Sequence, residues 1–187
     1  ANTFLYAQGH KVGQSLHEPK LKATAKKILK AAEKCGCNIV LPVDVIVADA
    51  FAAQSPCGVV DIDHIPAAGI AVDVGPESVA NFSAALANCK TIVWNGPLGA
   101  FETSPFDVST VSLARIIAKR TSQKKLRSIA GGGDTVAALS HAGLVQKFSY
   151  ISTAGGAFLE WLEGDPLPGV AVLLKAGSKP ARKHASR

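Results

Sequence analysis

Between residues 19 and 35 the chain repeats apolar and basic positions at the period of a helix. Leu21, Ala25, Ile28, Leu29 and Ala32 share one face, while Lys22, Lys26, Lys27, Lys30 and Lys34 lie mostly on the other. Gly36 supplies the stop. Upstream, Phe4, Leu5 and Tyr6 make a short helical piece closed by Gly9. The pattern then becomes β-branched runs between Pro and Gly breaks, which predicts strands over residues 38–41, 44–50, 58–62 and 71–74. Gly75, Pro76 and Glu77 open a helix continued by Val79, Phe82 and Leu86. From there strands over 91–94, 126–130 and 148–152 alternate with helices over 107–120, 134–141 and 157–163. Such alternation predicts βαβ units with right-handed crossovers, hence an α/β fold: a parallel sheet in a three-layer α/β/α arrangement. Pro166, Pro168 and Gly169 end the last helix, and the apolar segment 170–174 needs a surface to cover. The reading is one domain over 1–174 followed by a basic, disordered end over 175–187.

In a parallel sheet every strand delivers its C-terminal end to one edge, where ligands of open α/β sheets bind. Each of the three clearest strands here runs into a glycine turn. Asn95, Gly96, Pro97, Leu98 and Gly99 follow the first, Gly131, Gly132, Gly133, Asp134 and Thr135 the second, and Thr153, Ala154, Gly155, Gly156 and Ala157 the third. One turn would be ordinary; three on one edge point to a bound anion or nucleotide, because bare backbone N–H groups and helix N-termini attract phosphate. Pro97 and Leu98 offer an apolar wall for a base, and Asn95 and Glu102 polar contacts for a sugar. Asp134 beside a phosphate reads equally as a helix cap or as a Mg²⁺ contact, and Thr135 as a phosphate ligand or a support of the cap.

Composition narrows this picture mainly by exclusion. Of the net charge of +6, Lys175, Lys179, Arg182, Lys183 and Arg187 contribute five at an end without acids, leaving +1 for the rest, which argues against a nucleic-acid groove. No apolar run approaches the roughly 20 residues of a membrane helix, and no signal-peptide pattern opens the chain, so a cytoplasmic protein is expected. Cys35, Cys37, Cys57 and Cys89 form no CxxC pair and read as reduced thiols, buried or incidental. GxSxG, HExxH and a Walker lysine are absent, and the five histidines stand at no telling distance from a carboxylate. Nucleophilic catalysis thus lacks a candidate, whereas phosphoryl transfer, which relies on positioning and charge, stays open. With no Met, and a helical apolar opening without a lead-in, the chain reads as starting inside an element.

Taken in order, Thr3-Phe4-Leu5, Gly9-His10, Val12-Gly13, Leu41-Pro42-Val43-Asp44, Asp73-Val74-Gly75-Pro76-Glu77 and the stretches 93–102, 131–135 and 151–174 resemble the C-terminal nucleotide-binding domain of phosphoglycerate kinase. The resemblance runs from Ala1 to about Leu174 and implies a Rossmann-like domain. It implies reversible transfer of a phosphoryl group from 1,3-bisphosphoglycerate to MgADP, giving 3-phosphoglycerate and MgATP. By the same resemblance Asn95, Gly96, Pro97, Leu98 and Glu102 belong to the adenosine site, with Ala71 and Val72 against the base. Gly131, Gly132, Gly133, Asp134 and Thr135 hold the nucleotide phosphates and Mg²⁺, with Asp134 the metal contact. Gly132, Gly133, Gly155 and Gly156 belong to the transfer region. The family's third turn usually reads Ser-Thr-Gly-Gly-Gly-Ala, so Ala154 is a departure, as is Ala71 where many members have Gly. The family's N-terminal domain, with its 3-phosphoglycerate site, and the start of the nucleotide domain have no match here. The chain therefore reads as a fragment, inactive by itself and a monomer when full length. A noncatalytic nucleotide-binding or interaction module is the alternative, and a dinucleotide oxidoreductase a distant third.

Overall fold

The computed structural model describes residues 1–152 and 156–177. Its order is α1 (Asn2–Gln8), α2 (Lys22–Lys34), β1 (Asp44–Ala48), β2 (Cys57–Asp61), β3 (Ile70–Val74), α3 (Pro76–Ala87), β4 (Thr91–Trp94), α4 (Val108–Ser122), β5 (Arg127–Gly131), α5 (Gly133–His141), β6 (Tyr150–Ser152), α6 (Gly156–Glu163) and α7 (Pro168–Gly177). The expected α/β fold is observed, with a parallel sheet in the order β4-β5-β6. Among the described residues β4 has one hydrogen-bonded neighbour, β5, and so forms an edge.

The first three strands do not join that sheet. They make an antiparallel sheet of their own in the order β2-β1-β3, with a register irregularity between Ile46 and Val47. Residues 38–43, expected to contribute a strand over 38–41, form none; β1 starts only after Pro42, whose missing N–H cannot enter a ladder. The lysine-rich helix likewise begins later than its sequence pattern, at Lys22, after a 3₁₀ turn over Pro19–Leu21.

Each sheet has its own core. Trp94, Leu113, Ala114, Ile117, Leu126, Leu139 and Phe148 pack between the parallel strands and α4 and α5. Val45, Val47 and Ile65 pack under the antiparallel sheet. Phe106 is fully buried against Ala48 and Val72, so the loop leading into α4 is anchored to the antiparallel sheet. Ser128, also fully buried, accepts from Thr121 Oγ1 at 2.9 Å and from Ser149 N at 3.1 Å, tying β5 to α4 and to the approach to β6. Its own N–H donates to Ser149 Oγ at 3.1 Å.

The segment 170–174 lies within α7, where Val172, Leu173 and Leu174 are exposed. Of the end expected to be disordered, 178–187 lie outside the described residues. No helix among the described residues is long and apolar enough to cross a membrane. Cys35, Cys37 and Cys57 are exposed rather than buried, Cys89 is partly buried, and none forms a disulfide.

Candidate functional site

Parallel register places Trp94 beside Ala130 and Gly131 beside Ser152, so the three strands end abreast, with the first two turns leaving from one edge; of the third turn, residues 153–155 lie outside the described residues. Two of those turns are joined directly. Gly96 N donates to Thr135 Oγ1 at 2.6 Å, and Thr135 is 2% exposed, so its hydroxyl is built into the seam between the loops. Gly132 sits at φ +92°, and a Cβ there would stand 3.0 Å from Asn95 Oδ1. Trp94 Nε1 closes the first turn by donating to Gly96 O.

α5 starts from Gly132, without a side-chain cap. Its first intrahelical bond of this turn runs from Val136 N to Gly132 O at 3.0 Å, so the N–H groups of Gly133, Asp134 and Thr135 lie ahead of any intrahelical acceptor. Asp134 is exposed in that first turn, and its carboxylate makes no hydrogen bond or ion pair among the described residues. It is therefore not the N-cap, one of the two readings its position allowed. Gly133 is exposed, with open space where a Cβ would go. Among the described residues no group of three or more His, Cys, Asp or Glu is arranged to hold a metal ion.

On its other side the first turn is clipped to β3 and α4. Ala100 N donates to Val72 O at 2.8 Å, Leu98 N to Thr110 Oγ1 at 3.0 Å, and Gly99 packs against the Asp73 carboxyl. Between these elements lies a cavity of about 210 Å³, which brings Ala71 and Val72 together with Leu98, Gly99 and Ala100 and adds Asn2, Pro42 and Phe51. Pro97 is partly buried beside it, whereas Asn95 stands exposed at the seam. Glu102 is exposed in the following loop and does not line this cavity. Gly156 opens α6 at the surface; Gly155 lies outside the described residues.

Asp73 is the residue whose importance the sequence did not disclose, since it appeared there only as one letter of a motif. It is 4% exposed; Oδ1 accepts from Val74 N at 2.8 Å and Oδ2 from Ser109 N at 3.0 Å, while Ser109 Oγ donates to Val74 O at 2.6 Å. The acid thereby caps α4 from a neighbouring strand, because α4's own N-cap, Asp107, makes no capping bond. An acid inside the apolar run Ile-Ala-Val-Asp-Val was the available signal. Burial raises the Asp73 pKa from 3.8 to about 6 despite the opposing hydrogen bonds from Ser109 and Val74, and the nearby Asp107 charge adds to the rise.

The sign of the pH effect follows. With its pKa raised in the native state, Asp73 keeps a proton that the unfolded chain releases, so its stabilising contribution is complete below about pH 4 and lost above about pH 6. The change across that window is about 3 kcal/mol. Urea unfolding at a series of pH values is expected to show wild type losing this increment relative to Asp73→Asn as the pH rises. Parallel curves for the two proteins would refute the shift.

Similarity to known proteins is extensive. A family profile described as phosphoglycerate kinase matches residues 1–165. A phosphoglycerate kinase of Methylobacterium radiotolerans is 58% identical over 177 residues, 95% of this chain and 44% of that protein. That of Bradyrhizobium diazoefficiens is 58% identical over 92% of this chain and again 44% of the relative. Among solved structures, phosphoglycerate kinase from Coxiella burnetii superposes with a TM-score of 0.86 at 44% identity, over 92% of this chain and 44% of that one. The Pyrococcus horikoshii enzyme gives a TM-score of 0.66 at 26% identity. The chain thus spans under half the length of the relatives it matches.

Proposed function

The chain belongs to the phosphoglycerate kinase family, and from that premise we propose that it is the nucleotide-binding part of a phosphotransferase that moves a phosphoryl group reversibly between 1,3-bisphosphoglycerate and MgADP. In the forward direction the bond from the acyl oxygen to phosphorus breaks and a bond from the β-phosphate oxygen of ADP to phosphorus forms. The products are 3-phosphoglycerate and MgATP. The observation that carries the reading is the seam between the first two turns: Gly96 N on Thr135 Oγ1, with Gly132 against Asn95, makes one continuous backbone surface at the strand ends. Such a surface suits a reaction whose catalysis is mostly positioning and charge stabilisation.

In this reading the base enters the cavity beside Ala71, Val72, Pro97 and Leu98, and Asn95 and Glu102 serve the sugar. The backbone of Gly131 to Thr135 cradles the phosphates at the N-terminus of α5. The exposed carboxylate of Asp134, which makes no hydrogen bond or ion pair among the described residues, fits Mg²⁺, which commonly takes one or two carboxylates with the remaining positions filled by phosphate and water. Held by Asp134, the ion would supply positive charge against the negative charge of the phosphates. Gly132, Gly133 and Gly156 are assigned to the transfer region together with Gly155, which lies outside the described residues, and the triose half of the reaction falls to the part of the relatives that this chain does not span. A cytoplasmic location goes with this assignment.

Isothermal titration tests it. MgADP is expected to bind weakly, and Asp134→Asn to weaken it about tenfold, or 1.4 kcal/mol, while barely changing metal-free ADP. Equal loss with and without Mg²⁺ would remove the metal assignment. Turnover by the chain alone is expected to be negligible and to appear when the remaining portion of a relative is supplied in trans. Nucleotide binding without such recovery would leave a noncatalytic nucleotide module.

A further inference from the structure

A second cavity, of about 430 Å³, shares Asp73 and Val74 with the smaller one but takes the rest of its lining from β1, β2, Pro105 and the N-terminal turns of α3 and α4. Its walls are mostly aliphatic, with Ile46, Val79 and Val108 among them, and burying an apolar body there is favoured by about 25 cal/mol per Å². The polar features are few. Asp73 is the single carboxylate in the lining, and no lysine, arginine or histidine accompanies it. Backbone donors from Val74 and Ser109 and the Ser109 hydroxyl act on the carboxyl, leaving part of its roughly four acceptor positions open. Asp107, the residue before α4, stands nearby as a second acid. Cys57 brings an exposed thiol to the rim, and Ser112 stands on the wall.

We propose that this cavity is a second small-molecule site that takes a compact organic cation, an aromatic or branched-aliphatic amine or amidine, with its apolar body between Ile46, Val79 and Val108 and its charged head at Asp73. The aliphatic walls exclude a phosphate-bearing ligand, for which the lining holds no cation. The site therefore differs in ligand class from the glycine-edged one and does not depend on the nucleotide reading. Because Asp73 also backs Gly99, a ligand at its head reaches the wall of the smaller cavity through one shared side chain.

The cysteines supply the assay. Benzamidine serves as the probe, and the rate of N-ethylmaleimide modification at each cysteine is followed by peptide mass spectrometry on the whole chain. Benzamidine is expected to slow Cys57 by the factor 1 + [L]/Kd, about tenfold near saturation, while Cys35 and Cys37, exposed elsewhere, react at unchanged rates. Benzyl alcohol, with the same ring and no charge, is expected to protect Cys57 far less. Ser112→Trp, which fills the cavity from α4, is expected to remove the benzamidine effect. Methyl NMR shifts at Ile46, Val79 and Val108 on adding benzamidine provide a readout in the unmutated chain. Unprotected Cys57 without methyl shifts, or equal slowing at every cysteine, would overturn the site. Equal protection by benzyl alcohol would overturn the cation.

Discussion

Asp44→Ala is expected to lower the unfolding free energy by about 3 kcal/mol, seen as a shift of the urea midpoint at unchanged slope. α3 starts from Gly75, which has no side chain to cap it, and the missing acceptor comes from β1 instead. The Asp44 carboxylate, in a residue 6% exposed, accepts from Glu77 N at 3.1 Å, Ser78 N at 2.7 Å and Ser78 Oγ at 2.5 Å. Ser78 is itself fully buried; its hydroxyl accepts from Val43 N at 2.9 Å and Asp44 N at 3.1 Å, so the two residues lock strand to helix in both directions. Alanine leaves buried backbone donors without acceptors, each costing about 1–3 kcal/mol, and adds little hydrophobic gain. The same carboxylate lies 2.1 Å from where a Gly75 Cβ would be, so only glycine leaves it room. A loss under about 1 kcal/mol would mean that water replaces the carboxylate and that the lock is dispensable.

Gly132→Val is expected to reduce MgADP affinity more than tenfold and to cost about 1–3 kcal/mol of stability, measured by titration and urea unfolding respectively. At φ +92° and ψ 143° the backbone occupies a region that β-branched residues avoid, and the added carbon would press on Asn95 Oδ1 at 3.0 Å. Relief would require the two turns to separate, breaking the Gly96 to Thr135 bond. Gly133→Ala provides the contrast. It meets open space and lies within α5, so the fold should tolerate it or gain slightly, roughly 0.5–1 kcal/mol, and any loss of nucleotide binding reports the ligand's approach. If Gly132→Val bound MgADP normally, the phosphates would not sit on this turn.

How far each feature could be read in advance depended on the range over which it is encoded. α4, β5 and α5 fall within two residues of their expected spans because side-chain period and glycine stops are local signals. The same holds for the alignment of the three strand ends on one edge, which follows once strands alternate with helices. The antiparallel sheet was less legible: β1 and β2 are separated by residues 49–56, which lack a two-residue hairpin signature, so nothing local set their pairing. Most hidden were contacts between distant acids and their partners. Asp44 reaches Ser78, Asp73 reaches Ser109, His10 meets Asp63 at 2.7 Å and His141 meets Asp107 at 3.1 Å, all across more than thirty positions. Spacing along the chain carries no trace of such pairs, and for that reason His10 and His141 looked isolated and Asp73 ordinary, whereas His64 lies 3.7 Å from Asp61 only three positions away.

The outer margin of the parallel sheet has a consequence for handling the protein. Among the described residues β4 bonds to β5 alone, and Val93 in its middle is 40% exposed. Its far side therefore presents a row of peptide groups that any extended chain can pair with, and the parallel strands behind it are already ordered. No charged residue interrupts Thr91–Trp94 to discourage such growth. Self-association should thus set in from this margin, by sheet extension between molecules, rising with concentration and with salt that screens the repulsion of the net positive charge.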